Sequence, residues 1–201
     1  MSARYYILLP GIRTNPKDWS NWSVKMASDI NLKTDSKAEE FRYLALAITP
    51  KSRQDERARY VASLAHRAFE QGYTPVLVGH SNGCEVIRQA LSHLGCVVSE
   101  VHLIAGATDE DFERGGWNQA LRDGKVGTIH VYTGARDCVL RTIAKIGSFL
   151  GYGRLGYTGP KNVDSSVYSK LRTIPSNHDH NSWFSEKCYD GTFWLVTHPA
   201  K

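Results

Sequence analysis

Cysteine is scarce in this chain, with four in 201 residues, at positions 84, 96, 138 and 188. No two form a C-x-x-C pair and none stands at ligand spacing from a histidine, which argues against a zinc site and supplies no disulfide framework. Cys84 and Cys96 instead read as small buried hydrophobes. Long apolar runs are missing too, so no integral membrane segment is expected. The N-terminus shows no signal peptide, because Tyr5-Tyr6-Ile7-Leu8-Leu9 already reads as a strand that stops at Pro10. Cytoplasmic residence is the expectation, with release by lysis or non-classical export left open. Neither internal repeats nor a dividing linker interrupt the chain, so residues 1–201 are read as a single domain able to bury a sizeable core. A strong excess of one charge is equally absent, lysine and arginine outnumbering aspartate and glutamate only 25 to 20. Lys51, Arg53, Arg57 and Arg59 interleave with Asp55 and Glu56, as on a solvated helix face. Without aromatic-basic alternation or a nucleic-acid motif, no nucleic-acid partner is expected.

What is present centres on Val76-Leu77-Val78 followed at once by Gly79-His80-Ser81-Asn82-Gly83. This is the G-x-S-x-G pattern of a nucleophile elbow, a sharp strand-to-helix turn that lifts one serine clear of the sheet. The serine sits in strained backbone, and the residues two before and two after it crowd the neighbouring strand and helix. Only very small residues fit there, hence Gly79 and Gly83. The helix that follows turns its free N–H groups and positive dipole end toward the same spot.

Around the elbow, strands and helices alternate. Strands are expected at 4–9, 41–48, 75–79, about 96–105, 128–132 and 168–174. Helices are expected at about 17–30, from an N-cap at Ser52 to about 71, at 82–94, around Phe112 to Leu121, at 138–149 and near the C-terminus. Tyr60, Val61, Leu64, Ala68 and Phe69 mark the inner face of the second helix, with Gly72 as its stop. Residues 31–40 are polar and read as loop. This alternation means an α/β fold with a mainly parallel sheet, in which ligands bind outside the carboxyl ends of the strands. Gly11 to Arg13, Ser81, Asp137, and His178 or His180 collect there.

A serine hydroxyl is a poor nucleophile at neutral pH and needs a base within reach and a third group to orient that base. The order Ser81, Asp137, histidine is that of the α/β-hydrolases, and over nearly its full length the chain resembles a small, lidless member of that superfamily. More narrowly, Gly11-Ile12-Arg13-Thr14 with a nearby tryptophan, the elbow, and Asp137-Cys138-Val139-Leu140 resemble a group of poorly characterised bacterial and phage serine hydrolases. That group often carries histidine before the first of these glycines, where this chain has Pro10. The resemblance implies an α/β-hydrolase fold of about six strands flanked by helices, without a cap domain. It implies Ser81 as nucleophile, Asp137 as acid and His180 as base, since His180-Asn181-Ser182-Trp183-Phe184 resembles hydrolase segments in which small and aromatic residues closely follow the catalytic histidine. His178 stays open as an alternative base and Asp109 as an alternative acid, and either aspartate also suits a helix cap. The oxyanion hole calls for the N–H of Asn82, directly after the nucleophile, and by resemblance that of Ile12. Arg13 is read as a loop anchor. His178 and His180 have no third ligand at sensible spacing, so no metal is expected, and the chemistry requires no cofactor.

Together these residues point to a serine hydrolase that cleaves small-molecule or lipid carboxylic esters through an acyl-serine intermediate. Two other readings stay open. One is a catalytically inactive, hydrolase-like binding scaffold, against which the intact elbow and the order of acid and base weigh. The other is a phage- or toxin-type esterase of lipid or cell envelope, for which a pI near 9.0 would favour approach to anionic membranes. The glycine-rich stretch 151–160, with Tyr152 and Tyr157, reads either as a mobile lip over the acyl site or as a plain surface loop.

Overall fold

The computed structural model describes residues 3–11, 21–41, 43, 51–147 and 153–199. In chain order its elements are β1 (Arg4–Leu9), α1 (Trp22–Lys33), β2 (Lys37–Glu40), α2 (Lys51–Glu70), β3 (Thr74–His80), α3 (Asn82–Ala90), β4 (Val98–Ile104), α4 (Trp117–Arg122), β5 (Val126–Gly134), α5 (Cys138–Gly147), α6 (Leu155–Thr158), β6 (Leu171–Ser176) and α7 (Tyr189–Thr197). The strands form one sheet in the order β2-β1-β3-β4-β5-β6, and every pairing is parallel. Strand alternation sends Ile7, Leu9, Leu77, Val101 and Leu103 to one face, where they pack with Val61, Ala65, Ile87, Trp117 and Leu121 of α2, α3 and α4. Tyr6, Leu8, Val76, Val78 and Ile104 go to the other, under Met26 and Ile30 of α1 and Tyr189 and Val196 of α7. Helices on both faces are what a parallel sheet requires, because neither face can meet water. Among the described residues no helix is long and apolar enough to cross a membrane.

Several boundaries differ from those read in the sequence. α1 begins at Trp22, capped by Asn21, whose side chain accepts from the Ser23 N–H. It runs on to Lys33, and residues 37–40, read as loop, form β2. That strand carries no apolar alternation because it is an edge strand, held by β1 alone. Most of the strand expected at 41–48 lies outside the described residues. Ser52 is inside α2 rather than its cap. Val61, Leu64 and Ala68 are buried on the inner stripe of α2 as expected, but Tyr60 and Phe69 are about half exposed and Ala58 and Ala65 complete the stripe in their place. Gly72 does stop that helix, at φ +81°, with Gly72 N–H donating to Phe69 O and Tyr73 N–H to Ala68 O. Phe112 is buried but precedes α4, and Tyr168 belongs to a 3₁₀ turn before β6.

Within the glycine-rich stretch, residues 153–160 are described, and Gly151 and Tyr152 lie outside the described residues. Residues 155–158 form α6, and Leu155 and Gly156 are buried. A Cβ on Gly156 would lie 2.3 Å from the Ala105 carbonyl carbon, and one on Gly153 would lie 2.1 Å from Thr108 O. Gly156 N–H donates to Gly106 O at 3.0 Å. Gly153 and Gly156 let this segment press onto the loop after β4. Gly191 in α7 is the reverse case, with nothing within 4 Å of an added Cβ. Gly191→Ala is expected to stabilise the protein by about 0.5–1 kcal/mol, a rise of about 2–4 °C in Tm per kcal/mol in a thermal melt.

One buried cluster was not legible in the sequence. Glu100 and His102 of β4 and His130 of β5 bring ligand-type atoms within 4.8 Å of one another. The two imidazoles lie plane to plane, 4.6 Å apart and 9° from parallel. Their in-plane lone pairs therefore run side by side rather than converging on a common point. Glu100 is already held by Arg4 at 2.6 Å, and His102 Nδ1 by the Tyr132 hydroxyl at 2.8 Å, so the group is a packed hydrogen-bonded network.

Burial, with the neighbouring His102, pushes His130 down to about 4, and burial lowers His102. His80 is likewise pushed down to about 4, by burial and then by His180. All three bind protons more weakly folded than unfolded, where about 6.5 applies. Between about pH 6.5 and 4 the unfolded chain holds more protons. Stability is thus complete above about pH 6.5 and falls as pH drops through that window, by up to about 1.4 kcal/mol per pH unit for each histidine. Urea midpoints should hold level from pH 7.5 to about 6.5 and fall from there to pH 4.5, and His130→Asn should flatten that fall.

Candidate active site

The sheet order places β1 between β2 and β3, so the chain leaves β1 to one side and returns on the other. Such a switch point opens a crevice at the carboxyl ends of the diverging strands. Gly11 and Ser81 follow those two strands, and a Cβ on Gly11 would lie 2.9 Å from the Ser81 Cβ. The nucleophile candidate and the start of the first loop are thus in contact where the topology provides a binding crevice.

Ser81 has φ 53° and ψ −119°, a conformation that costs on the order of 1–3 kcal/mol for a residue with a side chain. Its backbone is held from both sides, Ser81 N–H donating to Ile104 O and Ser81 O accepting from Ala107 N–H, each at 3.0 Å. The elbow glycines explain themselves by contact. A Cβ on Gly79 would lie 2.8 Å from Ile87 Cδ1 and 2.9 Å from Cys84 N, and one on Gly83 would lie 2.2 Å from Leu9 O. Asn82 opens α3, where the first N–H groups of a helix have no intrahelical acceptor and point outward from its end. Ile12 and Arg13 lie outside the described residues.

Ser81, Asp137 and His180 form one hydrogen-bonded chain. Ser81 Oγ is 2.9 Å from His180 Nε2, and His180 Nδ1 is 2.8 Å from Asp137 Oδ2. All three are buried, at 8%, 1% and 8% exposure. Asp137 serves two ends at once, because its Oδ1 accepts from the Leu140 N–H at 2.8 Å and so caps α5. Cap and histidine partner are one role each for two oxygens of one carboxylate. Gly134 makes room for this: a Cβ there would lie 2.4 Å from His178 O, so the loop after β6 passes directly over the end of β5.

The two alternatives stand elsewhere. Asp109 is bound by Arg114 at 2.7 and 2.8 Å, with Oδ1 also accepting from Asp111 N–H; it organises its own turn and caps no helix. His178 has other partners, its Nδ1 at 3.2 Å from Ser182 Oγ and its ring 4.5 Å from that of Trp183. Its neighbour Asp179 closes the turn by accepting from the N–H groups of Asn181 and Ser182.

Two supporting residues carried no sequence signal. Glu85 in the first turn of α3 is buried, paired with Arg88 at 2.7 Å, and accepts from Thr108 Oγ1 at 2.6 Å. It ties the elbow helix to the loop after β4. His80, the middle residue between elbow glycine and serine, is also buried and bonds to the His180 main chain.

No family model matches the sequence, and no curated protein matches it. Solved structures do. A candidate hydrolase of the alpha/beta superfamily from Xanthomonas campestris pv. campestris superposes with a TM-score of 0.56 at 13% identity, over 96% of this chain and 98% of that one. A candidate hydrolase from Agrobacterium vitis S4 gives 0.58 at 14%, over 97% and 87%. The NocB thioesterase domain, solved as a covalent complex with a fluorophosphonate nocardicin G analogue, gives 0.54 at 14%, over 98% and 94%. At these identities the likeness is one of architecture: the chain has the α/β-hydrolase fold.

Proposed function

We propose that this protein is a serine hydrolase that cleaves carboxylic esters, residues 1–201 acting as a single catalytic domain. The observation that carries the reading is the unbroken chain from Ser81 Oγ through His180 to Asp137, 2.9 and 2.8 Å long. On attack at the ester carbonyl, Ser81 Oγ gives its proton to His180 Nε2, while Asp137 holds the imidazole in the tautomer with Nδ1–H and stabilises the imidazolium. The carbonyl oxygen gains negative charge, and the N–H of Asn82 with that of Ile12 would receive it. His180 returns the proton to the leaving alkoxide as the acyl–Ser81 ester forms. Water, deprotonated by the same histidine, then releases the acid and restores Ser81. The strained Ser81 backbone supports the reading, since such outliers concentrate where function needs them. The shared fold of a thioesterase domain captured covalently by a fluorophosphonate supports acyl transfer as the chemistry.

A panel of p-nitrophenyl esters of increasing acyl length, with matching acyl thioesters, tests it. Turnover with a pre-steady-state burst in the wild type, absent from Ser81→Ala, is expected. A folded wild type that turns over none of them would favour a binding scaffold instead.

A further inference from the structure

The residue between Gly79 and Ser81 is nominally free to vary in an elbow, yet here it is buried at 6% exposure and hydrogen-bonded. His80 Nε2 lies 2.8 Å from the backbone oxygen of His180, a residue one hundred positions away. A carbonyl can only accept, so Nε2 carries the proton. Burial keeps the ring neutral at neutral pH, which leaves Nδ1 as the unprotonated nitrogen. Ser81 Oγ meets the side chain of His180 while His80 meets its main chain, so two adjacent residues, the last of β3 and the elbow serine, grip one histidine at both ends.

We infer that His80 is a positioning residue for the proposed reaction: its Nε2–H bond to the His180 carbonyl holds the base in line with Ser81. The inference rests on the serine-hydrolase reading and adds a residue to it. The need for such a bond follows from where His180 sits. It lies on the loop between β6 and α7, whose nearest regular structure is the 3₁₀ turn Ser182–Phe184. No strand pairing or helix ladder fixes its backbone. The loop is tied at its far side by Thr192 Oγ1, which donates to Trp183 O at 2.6 Å, but at His180 itself the His80 bond supplies the backbone tie.

The ring of His80 is itself clamped. Phe184 meets it edge to face at 5.2 Å and Trp22 at 6.1 Å, while Trp22 and Phe184 stack on each other at 4.2 Å and 11°. On the Nδ1 side, a Cβ on Gly11 would come within 3.3 Å, so the same ring abuts the start of the loop after β1. His80 thus joins three parts of the candidate site, the first loop, the nucleophile strand and the base loop. A base displaced by about 1 Å from its partner costs on the order of 100-fold in rate, which sets the effect expected from losing the tie.

The test compares three variants with wild type. His80→Gln keeps an amide N–H near the position of Nε2, His80→Asn withdraws the donor toward the strand, and His80→Phe keeps a ring without a donor. Second-order labelling by a small fluorophosphonate reports Ser81 activation independently of the acyl pocket, and ester turnover separates kcat from KM. In folded protein, His80→Asn and His80→Phe should lower both the labelling rate and kcat by about 30- to 100-fold with KM within about threefold. His80→Gln should stay within about fivefold of wild type. Wild-type labelling rates in folded His80→Phe and His80→Asn would overturn the inference, as would a loss in His80→Gln as large as in the other two. A wild type that is neither labelled nor active would instead overturn the hydrolase reading. The low-field proton resonance of the His180 N–H facing Asp137 then decides the positioning role alone. It should shift or broaden in His80→Phe and survive in His80→Gln, and an unchanged resonance in all three variants would end the proposal.

Discussion

Replacing His180 with alanine is expected to lower kcat/KM by about 10⁴- to 10⁶-fold, whereas His178→Ala should stay within about fivefold of wild type. The two histidines are separated by a single residue, so sequence position hardly distinguishes them. Their surroundings do. His180 Nε2 and Nδ1 are both committed, to Ser81 Oγ and to Asp137 Oδ2. His178 bonds to Ser182 and packs on Trp183. Loss of the His180 ring removes the group proposed to take the Ser81 proton and leaves Asp137, 1% exposed, with one unpaired oxygen. A stability loss of about 1–3 kcal/mol should accompany the loss of rate, so circular dichroism and a urea midpoint belong beside the kinetics. Equal inactivation by both substitutions in folded protein would show that the loop as a whole, rather than one base, is what matters.

The second large effect concerns folding. Gly83→Ala should destabilise the protein by about 3 kcal/mol or more, enough to lower Tm by about 6–12 °C or to prevent recovery of soluble protein. The added Cβ would lie 2.2 Å from Leu9 O, 2.9 Å from its carbonyl carbon and 3.0 Å from its Cβ. Leu9 is fully buried at the end of β1, which is paired on both sides by β2 and β3. Neither strand nor elbow helix can retreat without breaking the ladder that carries Gly11 to Ser81. Gly95→Ala is the control, because the nearest atom to its Cβ is His66 Nδ1 at 3.8 Å. Similar melting curves for the two variants would mean that the elbow has more slack than these distances allow.

Much of the fold was legible because its signals are local. Runs such as Val76-Leu77-Val78 report a strand buried on both faces, and Gly72 stops α2 by a backbone geometry that glycine adopts without strain. β2 was not legible, since Lys37-Ala38-Glu39-Glu40 gains its strand form from pairing with β1 rather than from its own pattern. Tyr60 and Phe69 misled for a related reason: size suggests burial, but α2 lies close to its neighbours on the small faces of Ala58, Ala65 and Ala68. At the candidate site, the elbow declared itself through Gly79 and Gly83, whose spacing reflects contacts within one turn. The pairing of Asp137 with a histidine more than forty residues on has no local signature, and its expectation came from resemblance and chain order. His80 had none at all, because its partner is a main-chain oxygen, which every residue possesses. The stacked His102 and His130 became visible only once register placed them opposite each other on β4 and β5.

The most direct measurement is peptide-level mass mapping after incubation with a fluorophosphonate, on wild type and on Ser81→Ala. A single adduct on the peptide bearing Ser81, absent from the variant, is the expected result and would establish an activated serine at the elbow. An adduct elsewhere, or none on folded wild type under conditions that label a control esterase, would contradict the proposed catalytic role of Ser81, His180 and Asp137.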